Sequence, residues 1–445
     1  MNQTSFTINE RLRAYINHEC FNPNKLHPAH PYQRPLRKSD LTDIDFSIPV
    51  TTHDLMSNKN LLLNKLLLTI YEQDLLFLNE DLSNSEAQKA FKLFYDPHFV
   101  AESKALKPDL EKLAFTFLDT EIETLGYWDK DHLVTYLSEI IKQQENQPSE
   151  LCEFIAHTSN PVLACKMLLI QMAPDFLSEA SAMARVLPGA YGQEQSEIMK
   201  VFIDEYGYGV YDMKHSSLFE RTLDSIGMNR AIHYYYDAYL PTSLMLVNYF
   251  HFLCSNKQLW FRYLGALYYT EASIPHFNKQ ISTLLSKFLP SIDTSYFDEH
   301  VHIDQHHRRM VMNKLILTSI DKYGDNVIDE ILKGFESFRL LQSLADQDLM
   351  EQVRFAEISD TGQSHQFVGE HIIFTEQKNE LSLSHIHNES ELFTVLEGQL
   401  SFHNNGIDVF TLNAGEGVII PKGRVHGTRV QSPSARYSVA PLLSL

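Results

Sequence analysis

Residues 299–307 read EHVHIDQHH. On an α-helix the positions i, i+4 and i+7 lie on one face, so His300, Asp304 and His307 are predicted to point the same way. His302 and His306 then point elsewhere, as outer-face groups or as groups behind the ligands. Three metal-binding side chains on one face indicate a metal site, and the alternative is a polar, solvated helix face.

The composition is that of a folded chain with room for two or three domains. It has 445 residues, of which 44% are hydrophobic and 21% are charged. The net charge of −20 argues against nucleic acid or an anionic membrane surface as the main partner, because both require a basic surface. The 21 histidines favour metal binding.

Cysteine usage and hydropathy predict a cytoplasmic protein without a membrane span. The cysteines are scattered and form no CxxC pair, so we expect reduced thiols; they are Cys20, Cys152, Cys165 and Cys254. The N-terminus lacks a basic segment followed by an apolar run, which is the pattern of a secretory signal. No window reaches about 18 uninterrupted apolar residues.

Helical patterns dominate the first three quarters of the chain. Residues 1–100 are predicted to form a proline-rich irregular arm and a leucine-rich helical segment that packs or forms a homodimer. Residues 101–348 are predicted to form a bundle of about seven helices or more. One of these helices begins at Asn160-Pro161, a capping residue followed by a first-turn proline, and is expected to continue through Leu187.

The pattern changes at residues 349–445, where short alternating apolar runs begin. Asn405-Gly406 is a strong hairpin turn between two of these runs. The sequence therefore predicts a multidomain protein of α plus β class, with an all-α helical bundle followed by a small antiparallel β-barrel.

The predicted barrel carries its own metal-binding residues. His385 and His387 are two residues apart on a predicted strand, so they project from one face, with Glu391 just beyond. His426 follows on a neighbouring strand. Three histidines and a carboxylate suit Fe(II), Mn(II), Ni(II) or Zn(II) with open coordination positions.

The spacing of these residues resembles the two cupin motifs. Asn379 stands where the first motif begins with glycine, and Val430 stands where the second ends with asparagine. Neither is a ligand position. The resemblance implies a cupin fold whose metal site is either catalytic or structural, since a fold does not fix a function.

Further carboxylates interrupt apolar patterns in the helical region. Glu179 and Glu271 have apolar neighbours at helical spacing, and burying an unpaired charge costs several kcal/mol. Glu205 and His215 share one side of a helix if the glycines between them let it bend. Each of these residues alone is explained as a polar side chain whose hydrogen bonds are satisfied. Together with residues 299–307, they suit two iron or manganese ions bound between bundle helices.

The order of these residues resembles the haem-oxygenase-like diiron oxidases over roughly residues 100–345. The resemblance implies a diiron site, O2 as cosubstrate and Glu205 as the bridging ligand. The chain shows no nucleotide or flavin motif, so we expect an external reductant. The implied ligands are Glu179, Glu205, His215, Glu271, His300, Asp304 and His307.

The combination of a helical segment, a diiron domain and a cupin resembles the N-oxygenase family that includes the N-nitrosating enzyme of streptozotocin biosynthesis. This implies N-hydroxylation of an amine or guanidine of a small amino-acid-derived substrate, and conversion to an N-nitroso or nitro product. It also implies two irons in the bundle and a third in the cupin, which carries out a second oxidative step. In that enzyme histidines alone hold the cupin iron, so the resemblance leaves Glu391 open as a ligand.

Two other functions remain open. One is a diiron oxidase that cleaves C–C bonds or forms an alkene, with a structural cupin. The other is a non-catalytic cupin that binds or senses a ligand. Arginines that are candidates for binding a substrate carboxylate are Arg185, Arg221 and Arg308.

Overall fold

The protein is described here from a computed structural model, which describes residues 7–23, 31–78, 80–359 and 371–442. A helical part precedes a β part. The helices are α1 (Ile8–Tyr15), α2 (Asp40–Asp43), α3 (Asn58–Glu72), α4 (Ser85–Phe94), α5 (Pro97–Glu121), α6 (Lys130–Glu145), α7 (Glu150–His157), α8 (Pro161–Phe176), α9 (Gln193–Glu205), α10 (His215–Ser225), α11 (Pro241–Ser255), α12 (Trp260–Phe288), α13 (Ser295–Met310), α14 (Leu317–Tyr323) and α15 (Ile328–Ser359).

The β part consists of two four-stranded antiparallel sheets, ordered β1-β8-β3-β6 and β2-β7-β4-β5. Its strands are β1 (Ile372–Gln377), β2 (Leu381–His385), β3 (Glu391–Glu397), β4 (Gln399–His403), β5 (Val409–Asn413), β6 (Gly417–Ile420), β7 (His426–Val430) and β8 (Ser434–Pro441). Apolar side chains of both sheets, among them Val395 and Phe402, form one core between them. The predicted antiparallel fold is confirmed, and Asn405-Gly406 lies in the turn between the paired strands β4 and β5.

The helix predicted to begin at Asn160-Pro161 is α8, and its start is confirmed. The Asn160 side chain caps the backbone N–H of Leu163, and Pro161 occupies the first turn. The expected continuation through Leu187 is wrong, because α8 ends at Phe176. A left-handed residue at Ala180 (φ 62°) then redirects the chain, and this conformation is not available inside a helix.

The leucine-rich segment forms α3, which packs against α11 and α5. Its six leucines, Leu61–Leu63 and Leu66–Leu68, are at most 3% exposed within the single chain. They consequently offer no free apolar face for a dimer, so they no longer support the expected homodimer.

The N-terminal region is more ordered than the expected irregular arm. It contains α1, which Thr7 and Glu10 begin with a reciprocal capping box. Both expected domain boundaries also fall inside helices. Residues 100 and 101 lie within α5, and α15 continues past 348 to Ser359.

Close packing of α12 on α15 fixes the helix that carries Glu271. A Cβ at Gly265 would lie 1.8 Å from the carbonyl oxygen of Ile331, and one at Gly334 would lie 1.8 Å from that of Arg262. Only glycine allows the two backbones to approach so closely. In the described ranges, no helix combines the length and the apolarity needed to cross a membrane.

Candidate metal centres

The stretch 299–307 lies on α13 and presents the predicted face inward. His300, Asp304 and His307 are buried, whereas His302 and His306 are exposed. This is the result of the helical period, which brings positions i, i+4 and i+7 together.

A first cluster of potential ligands forms where α13 meets the ends of three other segments. The metal-binding atoms of its members, Glu179, Glu205, His215 and His300, all lie within 4.8 Å of one another. His215 Nδ1 lies 2.6 Å from Glu205 Oε2, and His300 Nε2 lies 3.2 Å from Glu179 Oε1. Two carboxylates and two imidazoles therefore converge on one point.

A second cluster adjoins the first and shares one residue with it. Glu205, Asp304 and His307 have their metal-binding atoms within 4.8 Å of one another. Glu271, on α12, is not a member of that cluster, but its Oε2 lies 3.1 Å from His307 Nδ1. Glu205 belongs to both clusters, which is the position of a ligand that bridges two ions.

Glu205 and His215 meet through a tight turn and not along one bent helix, so that expectation is wrong. Glu205 is the last residue of α9, and His215 is the first of α10. The intervening chain reverses at Gly207 (φ 57°) and Tyr208 (φ 54°). A Cβ at Gly207 would lie 2.4 Å from the carbonyl carbon of Met213, so glycine is required for the close turn.

Glu179 also reaches the site by a different route from the one its spacing suggested. It lies in the turn after α8 and not on a helix. Tyr296 Oη donates a hydrogen bond of 2.9 Å to Glu179 Oε1 and holds the carboxylate toward α13. Glu179 therefore does not share one helix face with the apolar neighbours that helical spacing identified.

The electrostatics of the two clusters fit bound cations. Glu179 Oε2 and both carboxylate oxygens of Asp304 are buried without a hydrogen-bond partner. Buried polar atoms are nearly always paired, and an unpaired one costs about 1–3 kcal/mol or more. Oxygen and imidazole donors without thiolate suit iron or manganese, so the residues present fit a dinuclear centre of this kind.

Histidine protonation balances the carboxylates in the metal-free site. Burial opposes a charge on His307, but Glu271, Asp304 and Glu205 outweigh it and raise its pKa to about 12. Burial likewise opposes the charge on His300, and Glu179 is the foremost of the carboxylates that raise its pKa well above the usual range. A bound cation would take over this role.

Hydrogen bonds behind the clusters orient the two rings of α13. His307 Nε2 donates to Asp204 Oδ2 at 2.9 Å, and His300 Nδ1 donates to the Tyr296 carbonyl oxygen at 2.7 Å. These contacts leave His307 Nδ1 and His300 Nε2 for the ligand clusters. Sequence reasoning missed Asp204, whose only signal is its position next to Glu205.

The cupin part brings three histidines together. Metal-binding atoms of His385, His387 and His426 lie within 4.8 Å of one another. His385 Nδ1 donates to the Leu383 carbonyl oxygen at 2.9 Å, and His426 Nδ1 donates to that of Arg424 at 3.1 Å. The Nε2 atoms remain available; those of His385 and His387 lie 2.9 Å apart. His387 follows the end of β2, so only His385 is on the predicted strand.

Glu391 does not enter this group of three. Its Oε2 lies 2.9 Å from His387 Nδ1, the nitrogen on the far side of the ring from the one that faces His385. This geometry favours Glu391 as a partner that orients the His387 ring over Glu391 as a fourth ligand, a choice that the sequence left open.

Two of the cupin histidines, His385 and His426, can bind a metal without losing a proton. Burial lowers the pKa of His385 well below its usual range, and neighbouring imidazoles add to this effect. Burial and His387 lower the pKa of His426 to about 3. Neutral imidazole is the form that coordinates metals.

The three candidate arginines bind elsewhere in the protein. Arg185 contacts His251 and the Tyr71 carbonyl oxygen, and Arg221 donates to the Asp212 carbonyl oxygen. Arg308 forms a 2.6 Å ion pair with Glu145.

Comparisons with known proteins match a family to each part of the chain. A family described as iron-containing redox enzymes matches residues 166–342, and the cupin domain family matches residues 372–437. The chain is 39% identical over 448 residues to a nitrosourea synthase from Streptomyces achromogenes subsp. streptozoticus, covering 97% of this chain and 94% of that protein. A crystal structure of a cupin-2 domain protein from Shewanella frigidimarina covers 18% of this chain and 80% of its own, with 23% identity and a TM-score of 0.15.

Proposed function

The chain belongs to the family of nitrosourea synthase, and from this premise we propose that it is an iron- and O2-dependent N-oxygenase. Its substrate is an amine or guanidine nitrogen of a small amino-acid-derived molecule. The product is an N-hydroxylated compound, or one oxidised further to an N-nitroso or nitro group. Electrons come from an external donor.

The observation that carries this proposal is the shared position of Glu205. Its Oε2 lies 2.6 Å from His215 Nδ1 in one cluster, and its Oε1 lies 3.8 Å from His307 Nδ1 in the other. Neighbouring oxygens of Glu179 and Asp304 are buried without partners. Two irons bound there would supply the activation of O2, which no amino-acid side chain performs. We assign Glu205 as the bridging ligand and Glu271 as a further ligand beside His307.

The chain's own residues prepare the site for this chemistry. Asp204 and the Tyr296 carbonyl oxygen fix the tautomers of His307 and His300. The Tyr296 hydroxyl holds Glu179. Burial of the ligands excludes bulk water, which strengthens the interaction of the carboxylates with cations.

The cupin centre supports a second oxidative step. Three histidine ligands leave coordination positions open for a substrate, whereas a purely structural site is normally closed by protein ligands. We assign this centre one iron, held by His385, His387 and His426.

The proposal is tested by metal analysis and by product mass. Iron-loaded protein is expected to hold about three irons per chain, and with O2 and a reductant to convert arginine, lysine or aminoimidazole compounds to products that gain oxygen. Products that lose carbon would support the C–C-cleaving alternative instead. A protein that takes up no iron would support a ligand-binding role.

A further inference from the structure

An internal cavity lies beside the helical metal centre. It is enclosed by α8, α11, α12 and α15 and measures about 130 Å³. A second cavity of about 210 Å³ shares six of its lining residues, including Tyr269 and Asp346. The second cavity in turn shares Glu145 and His276 with a groove, here named the outer groove. The three spaces therefore adjoin one another in this order.

Asp175 lines the inner cavity one helical turn before Glu179. Its side chain is accessible, and it has no hydrogen bond or ion pair among the described residues. Asp175 lines the cavity, so its accessible side chain faces that space. Burial and the charges of Glu179 and Glu205 raise the pKa of this carboxyl to about 7. An unpaired carboxylate thus faces an enclosed space next to the metal ligands.

Two buried polar side chains face the same cavity without partners. Asn278 is 2% exposed and Ser243 is 6% exposed, and neither side chain has a hydrogen bond within the part of the chain that the structure describes. Buried polar groups are normally satisfied, so two unsatisfied ones beside a free carboxylate indicate a polar ligand.

The charged side chains that line these spaces differ between the inner cavity and the outer groove. No lysine or arginine of the described residues lines either cavity, and the inner cavity contains the carboxylates of Asp175 and Asp346. The outer groove has Lys279, Arg308 and Arg309 in its lining, and because Arg308 pairs with Glu145, Lys279 and Arg309 supply its excess positive charge. Apolar side chains complete the inner cavity, among them Met172, Phe176, Leu246, Val247 and Phe250.

We propose that the inner cavity binds the guanidinium group of the substrate, with Asp175 as the carboxylate that holds it beside the helical centre. A guanidinium has five donors in a planar fork, which match a carboxylate and the acceptor oxygens of Asn278 and Ser243. The methylene stem of the substrate contacts the apolar lining. The carboxylate of the substrate points toward the basic outer groove. This assignment rests on the proposed function, because it places the nitrogen that is oxidised.

The test is calorimetric binding to the iron-loaded protein without O2. Arginine is expected to bind at least about tenfold more tightly than citrulline, which has the same shape but a neutral urea group. Asp175→Asn keeps the size of the side chain and should weaken arginine binding about 10- to 100-fold, with unchanged iron content. Asp131→Asn, an exposed position on α6, is the matched control and should change nothing.

Several outcomes would overturn the assignment. These are equal affinities for arginine and citrulline, preference for lysine over arginine, and unchanged arginine binding by the Asp175→Asn variant. Loss of iron from that variant would also overturn it, because Asp175 would then support the metal site. If arginine binds as expected but gains no oxygen with O2 and reductant, the binding assignment stands and the proposed N-oxygenation fails.

Discussion

At the scale of single residues, Glu205 is the one side chain common to both ligand clusters. Replacement by alanine is expected to remove about two irons per chain and to leave the cupin iron, because neither helical cluster is complete without it. Metal analysis by atomic emission measures this. His302→Ala on the exposed face of α13 should keep about three irons. Full iron content in Glu205→Ala would contradict the assignment.

The two centres should differ in how pH affects metal binding. His300 and His307 hold protons near neutral pH because their pKa values are raised, so iron must displace these protons. Iron affinity of the helical centre therefore rises between about pH 6 and 8. In the cupin, His385 and His426 are already neutral in this range, so their protonation adds no such dependence.

Calorimetry in buffers of different ionisation enthalpy separates these two responses. The His426→Ala variant reports the helical centre and Glu205→Ala reports the cupin. We expect proton release on iron binding to be larger at the helical centre. Equal release at both centres would show that the raised histidine pKa values do not control metal binding.

Glu391 provides a second residue-scale prediction. If it orients His387 from behind, Glu391→Gln keeps the cupin iron and lowers its affinity roughly 10- to 100-fold. His387→Ala, which removes a ligand, should lose that iron. Both are titrated in the Glu205→Ala background, where only the cupin binds metal. Complete loss of iron from Glu391→Gln would instead make it a ligand.

At the scale of elements, the turn between α9 and α10 determines whether Glu205 and His215 meet. Gly207→Ala adds a Cβ that would lie 2.4 Å from the Met213 carbonyl carbon, at a positive φ. We expect a loss of roughly 1–3 kcal/mol in the free energy of unfolding, with weaker iron binding. Gly209 has φ +81° and open space around it, so Gly209→Ala is the matched control.

Urea unfolding and iron analysis of the two glycine variants measure this difference. Gly209→Ala should lose only the backbone contribution, about 1 kcal/mol, and keep its iron. If both variants lose iron equally, backbone conformation and not the close contact at Gly207 controls the turn.

The sequence predicted these elements unevenly, and the reason is physical. The face of α13 was predicted because helical periodicity is a local property. The ends of α8 and α9 were not, since left-handed residues such as Ala180 and Tyr208 have no local signal. The end of α15 was also missed, because its last turns contact residues that are far away in the sequence. Gln352 accepts from the Val425 N–H and donates to the Val425 carbonyl oxygen.

At the scale of the whole molecule, α15 connects the cupin to the helical part. Arg424 pairs with Asp348 at 3.0 Å, and both side chains are buried. The Arg424 carbonyl oxygen also accepts from His426 Nδ1, so this pair lies directly behind a cupin ligand. Asp348→Ala leaves Arg424 buried and unpaired, which is expected to cost about 3–5 kcal/mol and to weaken cupin iron binding.

Thermal unfolding and cupin iron content measure this coupling. The control is Glu351→Ala on the same helix, which removes an exposed ion pair with Arg354 and should change stability by less than about 1 kcal/mol. Unchanged unfolding of the Asp348→Ala variant would mean that the two parts are not held together by this pair.

The helical centre is proposed to oxidise a substrate nitrogen with oxygen from O2. The most direct measurement is the mass of the product formed from arginine by iron-loaded protein under ¹⁸O2 with a reductant. The expected product carries ¹⁸O on a guanidine nitrogen and is absent with Glu205→Ala. A product that has lost carbon, or the same labelled product in equal yield from Glu205→Ala, would contradict the account.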